Sequence, residues 1–220
     1  MLTIENVSIY GWDAAIRGMR NPMNSWSNSD TVCRTPIFPH VIVGPNDLQL
    51  MKKLSWAGND HGKFLRMITV TFDCCGPLYW LKEFDTYKVS TVSNSCSTMH
   101  KIHANPFTED DFSTEHLSEM SYQIMLSTIK VLNLYRNKHQ EAKKAPMKDE
   151  SKRAELVKHY WWQMIQLLPS SYNQRRTVQL NYAVLKNIYH SRRHHKLDEW
   201  HTFCDWIETL PYAKELIVGD

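Results

Sequence analysis

Apolar positions along the chain change period several times, and each change marks an element. Leu2, Ile4, Val7 and Ile9 suit an opening strand, after which residues 13–19 read as a short helix closed by the stretch from Gly18 to Pro22. An aromatic, Ser/Asn-rich loop then runs to about Pro39. Gly44-Pro45-Asn46-Asp47 reads as a helix start, with Asn46 as cap and an acid in the first turn. Leu48, Met51 and Leu54 follow at helical spacing, and Gly58 is expected to end that helix. Residues 66–74 carry the β-branched and aromatic run Met67-Ile68-Thr69-Val70-Thr71-Phe72, which predicts a buried strand bounded by Gly76-Pro77. Pro77 suits the first turn of a further helix through Leu81 and Phe84.

Residues 86–98 are rich in Ser, Thr, Asn and Cys and lack a helical period, which predicts a ligand-facing loop. The longest amphipathic pattern covers residues 113–143, with Leu117, Met120, Ile124, Ile129, Leu132 and Tyr135 as its apolar positions. Ala145-Pro146 and residues 148–153 form the one clear linker, short enough to join two helices. A helix over 154–168 stops at Pro169, residues 176–181 read as a strand, and 182–194 and 199–210 read as helices. Without repeats or low-complexity segments, the expectation is one α/β (α+β) domain over residues 1–220, a twisted sheet flanked by helices.

Composition narrows the functional classes. A chain of 220 residues buries enough apolar surface to need no covalent staples. Its net charge of +3 is too small to make nucleic-acid binding the default. Acidic small molecules are easily accommodated, and 8 Trp and 10 Tyr favour planar ligands or subunit interfaces. The five cysteines, Cys33, Cys74, Cys75, Cys96 and Cys204, form no paired framework, so free thiols in a reducing compartment are expected. With no basic-then-apolar leader and no long apolar run, the expectation is a cytoplasmic protein without a membrane anchor.

Several clusters have both a chemical and a packing reading. Cys96, His100 and His103 offer soft-metal ligands, as do His190, His194, His195, His201 and Cys204, yet neither set has a paired-Cys pattern. Chance clustering among 11 His is the simpler account, and no metal is expected. Cys96, among Ser93, Ser95 and Ser97 and near Lys88 and His100, is either an activated thiol of a Cys-dependent transferase or hydrolase, or a small residue in a tight loop. Tyr160-Trp161-Trp162, Trp200 and Trp206 read first as core or interface, and second as base-stacking platforms.

Two segments resemble the flavin-dependent thymidylate synthases. In that family an L-P dipeptide precedes an Asn that opens a helix bearing a second Asn and then an Arg. Here Leu168-Pro169 precedes Asn181, Asn187 and Arg192, and Asp198-Glu199-Trp200 resembles the acid-aromatic ending. The resemblance implies flavin contacts for Asn181 and Asn187, and a nucleotide contact with a polarising or anchoring role for Arg192. Where the family commonly has an Arg two positions after the first Asn, this chain has Ala183. The central segment is similar in its strand Thr69-Val70-Thr71-Phe72 running into Gly76-Pro77. The arginine-rich family signature then falls on Thr86-Tyr87-Lys88-Val89-Ser90-Thr91 and Ser93-Asn94-Ser95-Cys96-Ser97-Thr98, where only Lys88 keeps a charge. Its upstream Gln corresponds to Glu83.

Carried over position by position, the resemblance implies cofactor contacts from Tyr87, Lys88 and Thr91, and substrate contacts from Glu83, Asn94 and Ser97; Arg175 joins the substrate contacts as a replacement for a missing arginine. The missing arginines matter because bidentate Arg forks normally hold phosphates, at roughly 1.5–3 kcal/mol per charged hydrogen bond. Lys88, Lys101, Arg175, Arg192, Arg193, Arg17 and Arg20 are the candidate replacements. The implied activity is methylation of a deoxyuridine monophosphate-type pyrimidine nucleotide with FAD, using methylenetetrahydrofolate and NADPH as co-substrates. The implied assembly is a homotetramer whose sites lie between subunits. The alternative, from a different class, is a non-catalytic nucleotide-binding protein on the same fold, such as a phage or bacterial regulator or sequesterer.

Overall fold

The computed structural model describes residues 2–32 and 41–219. Cys33 and the end of the loop expected to reach Pro39 lie outside the described residues. Four strands form one antiparallel sheet in the order β1-β2-β4-β3: β1 is Thr3–Tyr10, β2 Thr69–Pro77, β3 Val92–Ser95 and β4 Asn173–Asn181. Among the described residues eight α-helices accompany it: α1 (Trp12–Arg20), α2 (Pro45–Trp56), α3 (Leu78–Phe84), α4 (Thr98–Lys101), α5 (Glu119–Lys144), α6 (Glu150–Leu167), α7 (Tyr182–Arg192) and α8 (Asp198–Glu208). The mixed α/β architecture expected from the sequence is therefore present. By contact the chain divides into two compact units, one of Cys75–Lys82 and Ser95–Arg175, the other of Leu2–Cys74, Glu83–Asn94 and Arg176–Asp220.

The differences from expectation lie at element edges and have local causes. Gly44, not Asn46, is the N-cap of α2, because the Asp30 carboxylate reaches in from a distant loop to accept from the Asn46 and Asp47 N–H groups. Strand β2 continues through Gly76-Pro77, and α3 starts only at Leu78. Helix α5 begins at Glu119 instead of residue 113, while α6 begins four residues before the expected 154, since Asp149 caps it by accepting from the Ser151 and Lys152 N–H groups. Strand β4 starts at Asn173, and the expected loop of 86–98 contains β3, whose four residues are all exposed and show no alternation to read. The π-helical turn Lys214–Val218 had no counterpart in the sequence reading.

In the first unit, α5 and α6 pair as a helical hairpin over a core of Ile102, Phe107, Phe112, Ile129, Leu132 and Met164. Trp161 packs against that core and its indole N–H donates to the Met99 carbonyl at 2.9 Å, which fits the packing reading of this aromatic run. In the same unit His139 is 2% exposed, with its ring 4.3 Å from that of His103. In the second unit, Phe72 of β2 stacks among Phe203 and Trp206 of α8, and Trp200, Phe203, Cys204 and Ile207 form the buried face of that helix. Burial pushes the Cys204 thiol up to about 11, so this residue is a packing group. Cys75, Cys96 and Cys204 are free cysteines. No described helix is long and apolar enough to cross a membrane.

Two backbone or polar constraints fix the second unit. Gly11 turns β1 into α1 with φ of 88°, and a Cβ there would meet the Met67 carbonyl oxygen at 2.0 Å, so only glycine fits. Asp47 is fully buried and accepts from Arg20 Nε at 2.6 Å, from the Ser29 and Thr31 hydroxyls at 2.7 and 2.6 Å, and from the Thr31 N–H at 3.0 Å. Burial alone would raise its pKa. The hydrogen bonds from Thr31, Ser29 and Arg20, with the Arg20 charge, outweigh that and hold it below the usual carboxylate value.

These arrangements make two predictions. Asp47→Ala leaves Arg20 charged, buried and unpaired, and should cost about 3–5 kcal/mol in denaturant unfolding. His139 is held neutral, its pKa pushed down to about 4 by burial first and by His103 and Lys143 second. Such a group favours the folded state above its unfolded value of 6.5, and that stability is lost as pH falls toward about 4. Lowering the pH from 7 to 5 should therefore remove about 2 kcal/mol through this ring alone, and His139→Gln should flatten the loss.

Candidate functional site

Strand β4 passes into α7 without an intervening loop. Asn181 ends the strand in extended conformation and caps the helix, its Oδ1 accepting from the Val184 N–H at 3.0 Å. Tyr182, the first helical residue, is fully buried; its N–H donates to the Ile68 carbonyl and its hydroxyl to the Pro211 carbonyl. With both ends of that residue held, the rotational setting of α7 is fixed. Ala183, Lys186, Asn187 and His190 then fall at helical spacing on one face, and all four line a cavity of about 790 Å³.

The opposite walls come from the end of α2 (Ser55, Trp56), the following turn (Gly58, Asn59), the 3-10 turn Gly62–Met67 (Leu65, Arg66) and the segment Thr86 to Ser90. Gly58 stands just past α2 with φ of 101°, the stop expected from the sequence. Ser90 also takes a positive φ of 61°, uncommon for a serine, and turns the chain back toward β3. The cavity lining contains Arg66, Lys88 and Lys186 and no Asp or Glu. An anion is the ligand such a wall favours.

Lys186 is the most constrained of these cations. Its Nζ donates to the Ser55 carbonyl and hydroxyl at 2.7 and 2.8 Å and lies 3.3 Å from the centre of the Trp56 ring. Burial lowers its pKa to about 8. Ser55, Trp56 and His190 in turn bond the successive carbonyls of Leu216, Glu215 and Ile217, so the π-helical turn braces this wall. Sequence reasoning missed Lys186, because its hydrogen-bond partner Ser55 lies 131 residues away.

Of the residues singled out by sequence, Asn181, Asn187, Tyr87 and Lys88 line the cavity, whereas Glu83, Thr91, Asn94, Ser97, Arg175 and Arg192 do not. Arg192 follows His190 by two residues and so points from the far side of α7. There its Nε donates to the Tyr87 hydroxyl at 2.9 Å, its Nη1 stands 3.3 Å from the Glu83 carboxylate, and the guanidinium lies over Trp200. Glu83 is the hub of that group, since it also accepts from Trp200 Nε1 at 3.1 Å and faces His195 Nε2 at 3.2 Å. Ser97 caps α4 by accepting from the His100 N–H, while Asn94 and Arg175 are exposed on β3 and β4. The Thr91 hydroxyl is buried without a partner among the described residues.

The other candidate replacements for the missing arginines divide cleanly. Arg20 is held by Asp47, and Arg193 by Asp205 and Glu208, so neither is available to a ligand. Arg17 and Lys101 are exposed and are not lining residues of the cavity. Cys96 is exposed on the chain after β3, where its backbone pairs with Arg175 and with the Gln174 side chain. Among the described residues, no three His, Cys, Asp or Glu side chains group as metal ligands.

The double use of Asn181 predicts a separation of effects. Asn181→Ala removes a helix cap and should cost about 1 kcal/mol of stability. Asn187→Ala, on the exposed cavity face, should leave the unfolding midpoint nearly unchanged, as thermal denaturation of the two variants would register.

No family model matches the chain, and no curated protein matches it in sequence. Solved structures do match in shape. Thymidylate synthase X from Helicobacter pylori, crystallised with FAD and dUMP, superposes with a TM-score of 0.64 at 16% identity, covering 98% of this chain and 97% of its own. A UMP/dUMP methylase, PolB from Streptomyces cacaoi, bound with 5-Br dUMP, superposes with a TM-score of 0.61 at 13% identity, covering 99% and 95%. The chain therefore has the fold of the flavin-dependent thymidylate synthases over nearly its whole length.

Proposed function

We propose that this chain binds FAD and a pyrimidine nucleotide of the deoxyuridine monophosphate class, and that it methylates that nucleotide. The observation that carries this reading is the cavity beside α7, with Arg66, Lys88 and Lys186 on its walls and no carboxylate. A flavin pyrophosphate and a nucleotide phosphate are both anions, so the donor set fits them. Asn181, Asn187, Tyr87 and Lys88, the positions that the family resemblance points to for the cofactor, stand on the same walls. Structural neighbours crystallised with FAD and dUMP support the same choice of ligands. Asn187 and the free amide end of Asn181 would hold the flavin ring, with Tyr87 beside it. Bound flavin, once reduced by NADPH, would supply the hydride, and methylenetetrahydrofolate would supply the one-carbon unit.

In this reading Arg192 would reach the nucleotide only by leaving Glu83 and turning from the far side of α7 toward the ligand, while the phosphate stays with the cavity's own cations. A homo-oligomer, a homotetramer by resemblance, with sites between subunits gives Asn94, Ser97 and Arg175 a way into the site from a neighbouring copy. Exposed apolar residues on α5, among them Met120 at 74% and Ile124 at 62%, support such an assembly.

A second reading rests on a specific observation. Glu83 stands where the resemblance places Gln, and its hold on Arg192 favours a non-catalytic nucleotide-binding protein on the same fold. Titration of the purified protein with FAD, followed by tritium release from 5-tritiated deoxyuridine monophosphate, separates the two. The methylase reading expects a retained flavin spectrum and tritium release with folate and NADPH present, and FAD affinity weakened about tenfold by Asn187→Ala. Nucleotide binding without flavin or turnover would select the second reading, and binding of neither ligand would reject both.

A further inference from the structure

Lys186 is a cation without a counter-charge. Two of its three ammonium hydrogens are engaged by Ser55, and no described carboxylate pairs with it. The Trp56 ring covers one side of the ammonium, which stabilises the charge without neutralising it. The groups that hold it are themselves braced: the Ser55 hydroxyl donates to the Leu216 carbonyl at 2.7 Å and the Trp56 indole N–H to the Glu215 carbonyl at 2.9 Å. The long Lys side chain thus loses its usual freedom before any ligand arrives, so less ordering remains to be done on binding. Ala183, one turn earlier on the same face, lines the same cavity and puts no side chain beyond Cβ into it.

We propose that Lys186 is the phosphate anchor of this cavity, presenting its charge and its remaining N–H to a phosphate oxygen of the bound nucleotide. The inference rests on the anion-binding reading of the cavity and adds the residue and the contact. Either the monoester of a pyrimidine nucleotide or the pyrophosphate of a flavin supplies that oxygen, and the two are separable by experiment. Arg66, Tyr87, Lys88 and His190 are the other titratable or charged groups lining the cavity, and Glu215, whose carbonyl accepts from Trp56, is not part of that lining. Burial lowers the Lys186 pKa to about 8 in the free protein, and an anion bound against it raises that value. Binding above pH 8 therefore takes up a proton, and affinity falls as pH rises through 8 to 9.

The test uses lysine labelled at Cε with carbon-13, observed by NMR in the full chain between pH 7 and 9.5, alone and with inorganic phosphate, UMP, uridine or FAD. The expected result is an upward shift of the Lys186 titration with phosphate and UMP and none with uridine; the same shift with FAD would point to the flavin pyrophosphate as the occupant. Lys186→Met should weaken UMP on the order of tenfold and leave uridine unaffected. Lys186→Arg should keep most of the affinity and lose its pH dependence over this window, because guanidinium does not titrate there. Binding of UMP with an unmoved Lys186 signal, or equal weakening of UMP and uridine in Lys186→Met, overturns the proposal while the nucleotide reading stands. A Lys186 that responds to phosphate in a protein that binds neither UMP nor FAD supports the anchor and rejects the nucleotide reading. No response to any of the anions rejects the anchor.

Discussion

The junction between β4 and α7 is the constraint on which the site depends. A helix that leaves a strand without a loop must satisfy its first N–H groups at once, and Asn181 does so with its own side chain. Tyr182 then locks the rotation of the helix, since its N–H and hydroxyl are bonded to carbonyls from two distant parts of the chain. Everything functional about α7 follows from that setting. One face, from Ala183 to His190, belongs to the cavity, and the far side, with Arg192, belongs to the Glu83 group.

Charge is distributed along this helix in two different ways. On the cavity face, Lys186 is satisfied by neutral acceptors and an aromatic ring, so its positive charge remains available. On the far side, Arg192 is met by a carboxylate that also serves His195 and Trp200. An anionic ligand gains from the first arrangement directly, and from the second only by competing with Glu83. The arginine that resemblance made central is thus the more restrained cation, and a lysine outside the family pattern is the more available one.

Much of this was legible in the sequence where the signal is local. The Val70 to Phe72 strand core, the Gly58 stop, the paired long helices and the Asn181 helix start each rest on neighbours a few residues apart. The fold could be recognised through one half-preserved helix motif because order and hydrophobic pattern persist after the charged signature has changed. What could not be read depends on distant partners. The Asp30 carboxylate that caps the start of α2, the Ser55 and Trp56 that hold Lys186, and the Glu83 that restrains Arg192 come from remote segments. Strand β3 was hidden for a different reason, since four exposed residues carry no alternation.

The central claim is that the carboxylate-free cavity against α7 receives the anionic, planar ligands. A crystal structure of the protein grown with FAD and deoxyuridine monophosphate tests it most directly. The account predicts electron density for ligand between Asn187 and the Thr86 to Ser90 segment, with a phosphate against Lys186, Arg66 or Lys88. Well-ordered ligand bound elsewhere, with that cavity holding only solvent, would contradict it.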